Sequence, residues 1–308
     1  MKTAESLVER YRKLLSLPMN AEITESMVMK HWRLETALAG RILRSSEKNR
    51  PGTIRRCVKR FYRELNWLND SRLLDGIPPV ERREDTVIRL IGKRRKRIFE
   101  IGSGNGSLID YLSRHGHECV GSDIDENRFK VHANPHLSLN VQDGAAFDKK
   151  VQAGSFDIVL SLNVLEHLHP DDVEGHFKEV FRSLKRGGAY ILKTPHRFFG
   201  PHGIERIFGI TRNRGLHLKE YTYMDSQKFS EHAGFRICRA VFTVPGFLRK
   251  GFKRLKLDFV LQGRFYMNYL MLLERIIQSF SGEMNRRRAS RFFHFLLLPR
   301  QVFVAIEK

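Results

Sequence analysis

The chain has 308 residues, a formal net charge of +21 and 41% hydrophobic residues, which is enough apolar material for a full α/β core with extensions. Its cysteines, at positions 57, 119 and 238, are too few and too scattered for a disulfide framework or a zinc site, so we expect a reducing, cytoplasmic setting. Charged residues interrupt the N-terminal segment, and no uncharged apolar run reaches about 18 residues, so we expect neither a signal peptide nor a membrane-spanning helix.

The positive charge lies at the two ends of the chain. Residues 1–97 carry 24 basic and 12 acidic side chains, residues 98–240 carry 18 of each, and residues 241–308 carry 13 basic and 4 acidic side chains. A neutral middle with basic flanks is compatible with two interpretations. Either the flanks face an anionic partner, such as membrane lipid, nucleic acid or a phosphorylated acceptor, or they are simply well solvated.

The first 92 residues are predicted to be helical. Apolar residues recur at helical spacing over 6–17, 24–43, 53–68 and 80–91, and turn-forming residues separate these stretches. From residue 97 onward, strand and helix patterns alternate, which predicts a parallel sheet covered on both faces. Strands are expected at 97–101, 118–123, 137–142, 156–162, 188–194, 235–243 and 301–307.

About 57 residues separate the last two predicted strands, and this interval is both basic and apolar. Phenylalanine and leucine mix with arginine and lysine over 246–256 and 286–298, whereas residues 265–277 are almost entirely apolar. Two interpretations compete: an interfacial segment that docks on anionic lipid or encloses a lipid-like acceptor, and a helical cap that packs on the core and on the N-terminal helices. We favour the first for the two basic stretches. The apolar stretch is expected to pack on the core as a helical cap.

A glycine-rich turn follows the first predicted strand. Gly102, Gly104 and Gly106 alternate with other residues, and a helix is expected to begin at Ser107. Glycine permits a positive φ and a close approach of the backbone to a ligand, and the start of a helix supplies free N–H groups. The spacing differs from the G-x-G-x-x-G of dinucleotide sites, and Glu100 in the strand suits a ligand with an ammonium and a sulfonium better than a pyrophosphate.

This turn resembles motif I of the class I S-adenosylmethionine (SAM)-dependent methyltransferases. Four further features follow in the order that the family shows: a strand that ends at Asp123, a loop with Asp143, a strand whose exit carries Asn163, and a glycine turn before a fifth strand. The resemblance, which extends to the O-methyltransferases of ubiquinone biosynthesis, implies SAM as cofactor. It also implies that Glu100, Gly102, Gly104 and Gly106 hold the amino-acid end of SAM, Asp123 the ribose hydroxyls and Asp143 the adenine, with Asn163 beside the sulfonium.

The resemblance also predicts the architecture. We expect a Rossmann-like α/β fold with a seven-stranded, mostly parallel sheet and helices on both faces. The predicted parts are a helical N-terminal extension (1–92), the SAM-binding core (93–244), a basic amphipathic helical insertion between the last two strands (245–299) and the final strand of the core sheet (300–308).

Catalytic candidates lie on the loops that follow the fourth and fifth strands. An alcohol acceptor must lose a proton, and loops at the carboxyl ends of parallel strands form the ligand crevice. His167 and His217 are the best candidates for a general base, and Tyr221 is a candidate for orienting or contacting the acceptor. We expect His196 and His202 to lie in a surface loop.

A metal site is a weaker hypothesis. Glu166, His167 and His217 resemble part of the magnesium site of small-RNA 2′-O-methyltransferases, but Asn163 stands where that pattern has its first acid. Because magnesium prefers carboxylate oxygens, the loss of one weakens the site, and we predict no metal.

Three functions stay open at this point. The leading hypothesis is O-methylation of a small, lipid-linked or sugar-like acceptor at the cytoplasmic membrane surface, because the insertion is basic and apolar. The first alternative is an RNA methyltransferase, because residues 1–97 are strongly basic. The second is a non-catalytic SAM-binding scaffold or regulator, which would need no base.

Overall fold

The computed structural model describes residues 5–18, 20–69, 78–145, 147, 151–242, 262–295 and 298–308. The chain divides into two compact units. The first comprises residues 1–79 and 200–219, and the second comprises residues 80–199 and 220–308. The first unit therefore takes in a segment that the sequence analysis assigns to the core, and the predicted domain boundaries stay a prediction.

The first unit is helical. Its helices are α1 (Leu7–Leu15), α2 (Glu25–Leu43) and α3 (Arg50–Glu64), with short 3₁₀ turns at Glu47–Asn49, Asn66–Asn69 and Ile204–Phe208. Helix α1 begins at a capping box in which Ser6 and Glu9 satisfy each other's backbone N–H. An apolar cluster, which includes Tyr11, Val28 and Ile207, joins these helices to the 204–208 turn.

The second unit contains all eight strands of the described chain. The strands are β1 (Arg97–Ile101), β2 (Glu118–Asp123), β3 (Leu137–Val141), β4 (Phe156–Leu162), β5 (Leu184–Pro195), β6 (Ile237–Val241), β7 (Gln262–Gly263) and β8 (Gln301–Glu307). The helices are α4 (Val80–Arg83), α5 (Asp85–Ile91), α6 (Ser107–Arg114), α7 (Val173–Ser183), α8 (Tyr223–Ala233), α9 (Arg264–Ser279) and α10 (Glu283–Phe295). Short 3₁₀ turns lie at Glu126–Arg128, Leu165–His167, Pro170–Asp172 and Arg197–Phe199.

These strands form one sheet in the order β3-β2-β1-β4-β5-β8-β6-β7. Strands β1 to β5 pair in parallel, and β8 lies antiparallel between β5 and β6. All seven predicted strands are present, and the two-residue β7 adds an eighth. The strand order reverses between β1 and β4, so the ligand crevice of such a sheet is expected at the carboxyl ends of these two strands.

Helices cover both faces of the sheet, as predicted. On one face, α5 and α6 contribute buried residues such as Val87 and Leu112 to a cluster with β1 and β4. On the other face, α7 and α9 contribute buried residues such as Phe177 and Leu270 to the larger cluster. Because both faces are covered, the central strands carry almost continuous apolar residues rather than an alternating pattern.

The insertion is described only in part. The basic stretch 246–256 lies outside the described residues, whereas 262–295 forms the short strand β7 and the helices α9 and α10. Helix α9 packs on the core through Met267, Leu270, Leu273 and Ile277, as expected for a helical cap. None of the described helices combines the length and the apolar character that a membrane span requires.

Candidate functional site

The glycine turn between β1 and α6 needs glycine at each of its alternate positions. Gly102, Gly104 and Gly106 have φ values of +68°, +57° and +82°, which L side chains rarely adopt. A Cβ on Gly102 would lie 2.4 Å from the Val164 side chain, and a Cβ on Gly106 would lie 2.4 Å from Val131. The turn therefore has no side chain at three alternate positions at the carboxyl end of β1, and its backbone is open to a closely approaching ligand.

Asp123, the last residue of β2, is bonded to this turn. Its Oδ2 accepts a hydrogen bond from Gly104 N at 2.8 Å, and its Oδ1 accepts one from Ile124 N at 2.8 Å. The Arg128 guanidinium lies 3.5 Å from Oδ1. Burial raises the pKa of Asp123, although Arg128 and the backbone donors oppose this shift. The carboxylate thus links the ends of β1 and β2 at the crevice.

Glu100 is a buried carboxyl with an unsatisfied oxygen. Its side chain is 5% exposed, and its Oε2 has no hydrogen-bond partner among the described residues. Burial raises its pKa to about 8, and nearby Glu84 and Asp123 shift it in the same direction against Ser103 and Lys193. A buried acceptor without a donor is costly unless a ligand supplies one. This carboxyl therefore fits the ammonium group of SAM.

A salt bridge that the sequence analysis missed lies beside Glu100. Lys193 on β5 places its Nζ 2.7 Å from Oε2 of Glu84, the residue before α5. Both side chains are largely buried. The pair adds a fixed positive and a fixed negative charge near the Glu100 carboxyl, and only the fold brings these three positions together.

The loop with Asp143 is held by a histidine that the sequence analysis also missed. Asp143 itself accepts a hydrogen bond from Ala145 N at 2.9 Å. His176 on α7 is fully buried, with Nδ1 2.6 Å from the Gly144 carbonyl oxygen and Nε2 2.8 Å from the Tyr190 hydroxyl. Burial lowers the pKa of His176 to about 4, so the ring is neutral. Its Nδ1–H donates to Gly144 and its Nε2 accepts from Tyr190, which anchors the loop to α7 and β5.

Asn163 and His167 lie on the exit of β4. Asn163 has a φ of +56°, and its N–H donates to the Lys193 carbonyl oxygen at 2.7 Å. A positive φ is uncommon for a residue other than glycine and marks a turn that its surroundings hold in place. His167 ends the 3₁₀ turn Leu165–His167, and its side chain is exposed, so an acceptor can reach it. Glu166 is buried, and its Oε2 accepts a hydrogen bond from Thr194 Oγ1 at 2.9 Å.

The loop after β5 differs from our expectation. His196 was expected in a surface loop, but it is fully buried, with Nε2 2.7 Å from Oε1 of Glu274 on α9. The same carboxylate accepts hydrogen bonds from the Tyr223 and Met224 N–H groups at the start of α8. The expectation was wrong because Glu274 of the insertion pairs with His196 in the core, and the sequence around His196 gives no sign of this partner.

Tyr221 is buried in the large apolar cluster of the second unit. Its carbonyl oxygen accepts a hydrogen bond from Arg197 N at 2.9 Å, and its ring lies edge-on to Phe229 with centroids 5.9 Å apart. Burial raises the pKa of its phenol, so Tyr221 is protonated at neutral pH. These contacts suit a residue that orients the loop after β5.

His217 belongs to the first unit, where a buried polar chain supports its segment. The Leu216 N–H donates to Oε1 of Glu35 at 2.8 Å, and Oε2 of Glu35 lies 3.0 Å from His31 Nε2. Nδ1 of His31 lies 2.7 Å from the Tyr11 hydroxyl. Burial raises the pKa of Glu35, but His31, Leu216 and His217 together hold it below its ordinary value. The carboxylate is thus charged, and it fixes the backbone next to His217.

Comparison with known proteins agrees with the geometry. A family model described as a methyltransferase domain matches residues 99–192, the span from β1 to β5 that carries the glycine turn, Asp123 and the exit of β4. A ubiquinone biosynthesis O-methyltransferase of Psychrobacter arcticus is 25% identical over 185 residues, which are 56% of this chain and 69% of that protein. The chain is a class I SAM-dependent methyltransferase.

Other similar proteins align with a similar share of this chain and of their own length. A ubiquinone biosynthesis O-methyltransferase of Coxiella burnetii is 27% identical over 157 residues, which are 47% of this chain and 65% of that protein. The methyltransferase thus spans about two thirds of the length of these relatives. A solved SAM-dependent methyltransferase of Archaeoglobus fulgidus aligns with a TM-score of 0.49 and 18% identity over 74% of this chain and 93% of that chain.

Proposed function

We propose that the methyltransferase transfers the methyl group of SAM to an oxygen atom of a small, lipid-linked or sugar-like acceptor. The observation that carries the proposal is the exposed His167 on the exit of β4, beside the crevice. An alcohol needs a base to take its proton, and a histidine has a pKa suited to that task. The names of the relatives, which are those of O-methyltransferases, support an oxygen acceptor.

The residues around the glycine turn are proposed to hold SAM. Glu100 would accept a hydrogen bond from its ammonium group, because Oε2 lacks a donor among the described residues. Gly102, Gly104 and Gly106 would leave room for its amino-acid end, and Asp123 would accept from the ribose hydroxyls. When bound, SAM supplies an activated methyl group on a positively charged sulfur, and the work of the protein is to align the acceptor and exclude water.

Asp143 and Asn163 complete the proposed cofactor site. Asp143 would accept from the adenine amino group, on the loop that His176 anchors. Asn163, which follows β4, would line the site beside the sulfonium, because its N–H donates to the Lys193 carbonyl oxygen on β5 and this bond fixes its turn.

His167 and His217 are proposed to take the acceptor proton, with Tyr221 in an orienting role. His167 has the stronger support, because it belongs to the same unit as the proposed SAM residues. No cation is needed for this chemistry. Of the three weak metal candidates, Glu166 has one carboxylate oxygen, Oε2, that accepts a hydrogen bond from Thr194.

The test is transfer of labelled methyl from SAM into a host extract that is then separated into lipid, glycan, RNA, protein and small-molecule fractions. We expect label in the lipid, glycan or small-molecule fraction and at least a ~100-fold loss of rate for His167→Ala, with an unchanged Kd for SAM. Asp123→Ala serves as the control that cannot bind SAM. Label in RNA would overturn the proposed acceptor class. Full activity of both His167→Ala and His217→Ala would refute the proposal that a histidine acts as the general base.

A further inference from the structure

Helix α9 carries a second apolar face, which is exposed to solvent. Phe265, Tyr269, Leu272 and Ile276 are 93%, 38%, 53% and 39% exposed, respectively. Their spacing of four, three and four residues places them in one stripe along the helix. This exposed stripe is separate from the buried residues Met267, Leu270, Leu273 and Ile277, through which α9 packs on the core. Phe265, Leu272 and Ile276 therefore form an exposed apolar surface on α9 in the described part of the chain.

Exposed arginines lie on the same helix and on the helix packed against it. Arg264 and Arg275 lie on α9, and Arg288 and Arg291 lie on α10, which packs against α9. Within the described part of the chain, none of these four forms a salt bridge. Residues 262–300 hold seven arginines and two glutamates; Glu274 is buried on His196, and Glu283 pairs with Arg287 at 2.8 Å. The surface around the stripe is thus strongly positive.

Helix α10 repeats the combination of large apolar and cationic side chains. Met284 and Phe292 are 57% and 63% exposed, and Arg288 lies between them at helical spacing. Helices in which large apolar residues and arginines share the exposed surface bind at the boundary between lipid headgroups and acyl chains. Two adjacent helices of this kind form a larger surface than either alone.

We infer that the exposed surface of α9 and α10 binds an anionic lipid bilayer. The stripe of α9 enters the acyl boundary, and the arginines contact the anionic headgroups. A second copy of this chain would suit the stripe less well, because a symmetric contact would bring its arginines against each other. RNA would suit it less well too, because Leu272 and Ile276 offer no ring on which a base can stack.

This inference goes beyond the proposed function, because a lipid surface can bind whatever the methyl acceptor is. It keeps the stretch 286–298 that the sequence analysis favoured, most of which lies in α10, and adds α9, because the sequence analysis assigned 265–277 to packing alone. The structure gives 265–277 both roles, because its apolar residues divide into a buried and an exposed set.

The test is co-sedimentation of the full chain with vesicles of phosphatidylcholine alone or with 30% phosphatidylglycerol added. We expect binding to the anionic vesicles that weakens as salt rises. Leu272→Ser with Ile276→Ser should lower the partition coefficient by at least ~10-fold, and so should Arg288→Glu with Arg291→Glu. Leu43→Ser, at an exposed leucine of α2, is the matched control and should leave binding within about twofold.

Each variant is checked by its affinity for SAM, which none of these positions contacts in the proposed site. Equal binding of wild type and the Leu272→Ser, Ile276→Ser variant would overturn the inference. If the wild type does not bind vesicles, either of two results would also overturn the inference. One is a dimer of the wild type that the double variant cannot form, and the other is RNA binding that weakens as salt rises. Vesicle binding without methyl transfer would support the inference and count against the proposed function. Methyl transfer without vesicle binding would support the proposed function and overturn the inference.

Discussion

A neutral Glu100 makes the stability of the methyltransferase depend on pH in a defined window. A carboxyl whose pKa is higher in the folded chain than in the unfolded chain is deprotonated at a cost to the folded state. The stability that it contributes is complete below its ordinary pKa of 4.5 and is lost as the pH rises through about 8. Replacement of Glu100 by glutamine removes this titration while it keeps nearly the shape of the protonated acid.

The size of the effect follows from the two pKa values. A difference between about 8 and 4.5 corresponds to about 5 kcal/mol at 1.36 kcal/mol for each pH unit. About 4 kcal/mol of this falls between pH 5 and pH 8.5, because the transition is incomplete at both limits. Relative to Glu100→Gln, the wild-type chain should lose this much of its free energy of unfolding over that range, because the other titrating groups, such as His176, are common to both proteins.

The assay is urea unfolding of both proteins, without SAM, at half-unit steps from pH 5 to pH 8.5. The matched control is Glu118→Gln on the neighbouring strand, where the carboxyl is about half exposed and pairs with Arg95. This control should follow the wild type apart from a small, constant offset. Parallel pH profiles of wild type and Glu100→Gln would refute the reasoning, because they would mean that Glu100 has an ordinary pKa.

The same titration should appear in SAM binding. If the ammonium group of SAM binds the charged form of Glu100, the free protein must release a proton at pH 7, where a group with a pKa of about 8 is about nine-tenths protonated. Calorimetry in two buffers of different ionisation enthalpy should therefore show nearly one proton released per SAM for wild type and none for Glu100→Gln. Proton release that persists in the variant would assign it to another group.

Two further predictions concern the support of the cofactor site. Gly102→Ala should lower the free energy of unfolding by about 3 kcal/mol, because the strain of a left-handed backbone adds to a clash with Val164. The control Gly154→Ala has a similar φ but nothing within 4 Å of the added Cβ, and it should cost about 1 kcal/mol. Urea unfolding measures both values. His176→Phe should cost about 2–4 kcal/mol at pH 7 and raise the Kd for SAM, because the Gly144 carbonyl loses its buried donor. Burial lowers the pKa of His176 to about 4, so its contribution is present above pH 6.5 and lost as the pH falls through about 4; the variant should lack this loss.

The sheet and the glycine turn could be predicted because their signals are local. Gly102, Gly104 and Gly106 lie within five residues of one another, and strand and helix patterns alternate from 97 to 194. The position of Asp123 followed from the strand order that the resemblance implied. Each of these inferences needs only neighbouring residues or a familiar succession of elements.

The polar support of the site could not be predicted, because its members are far apart in the sequence. His176 is 32 residues from Gly144, and Glu274 is 78 residues from His196. The one weak local signal was His31 with Glu35, a polar pair at i and i+4 among the buried apolar residues of α2. A polar pair in an apolar stripe indicates a buried network, although not which residue completes it.

The buried pairs also explain why the insertion matters to the site. Glu274 belongs to α9, yet it bonds His196 after β5 and the first two N–H groups of α8. An uncompensated charge at any of these positions would cost several kcal/mol, so α9, the loop after β5 and the start of α8 are held as one assembly. Because the opposite side of α9 carries the exposed apolar stripe, the same helix that orders the loop after β5 also presents the surface that we propose for lipid. A ligand that binds this surface would therefore act on an element that is rigidly joined to the carboxyl edge of the sheet, where the methyl acceptor is proposed to bind.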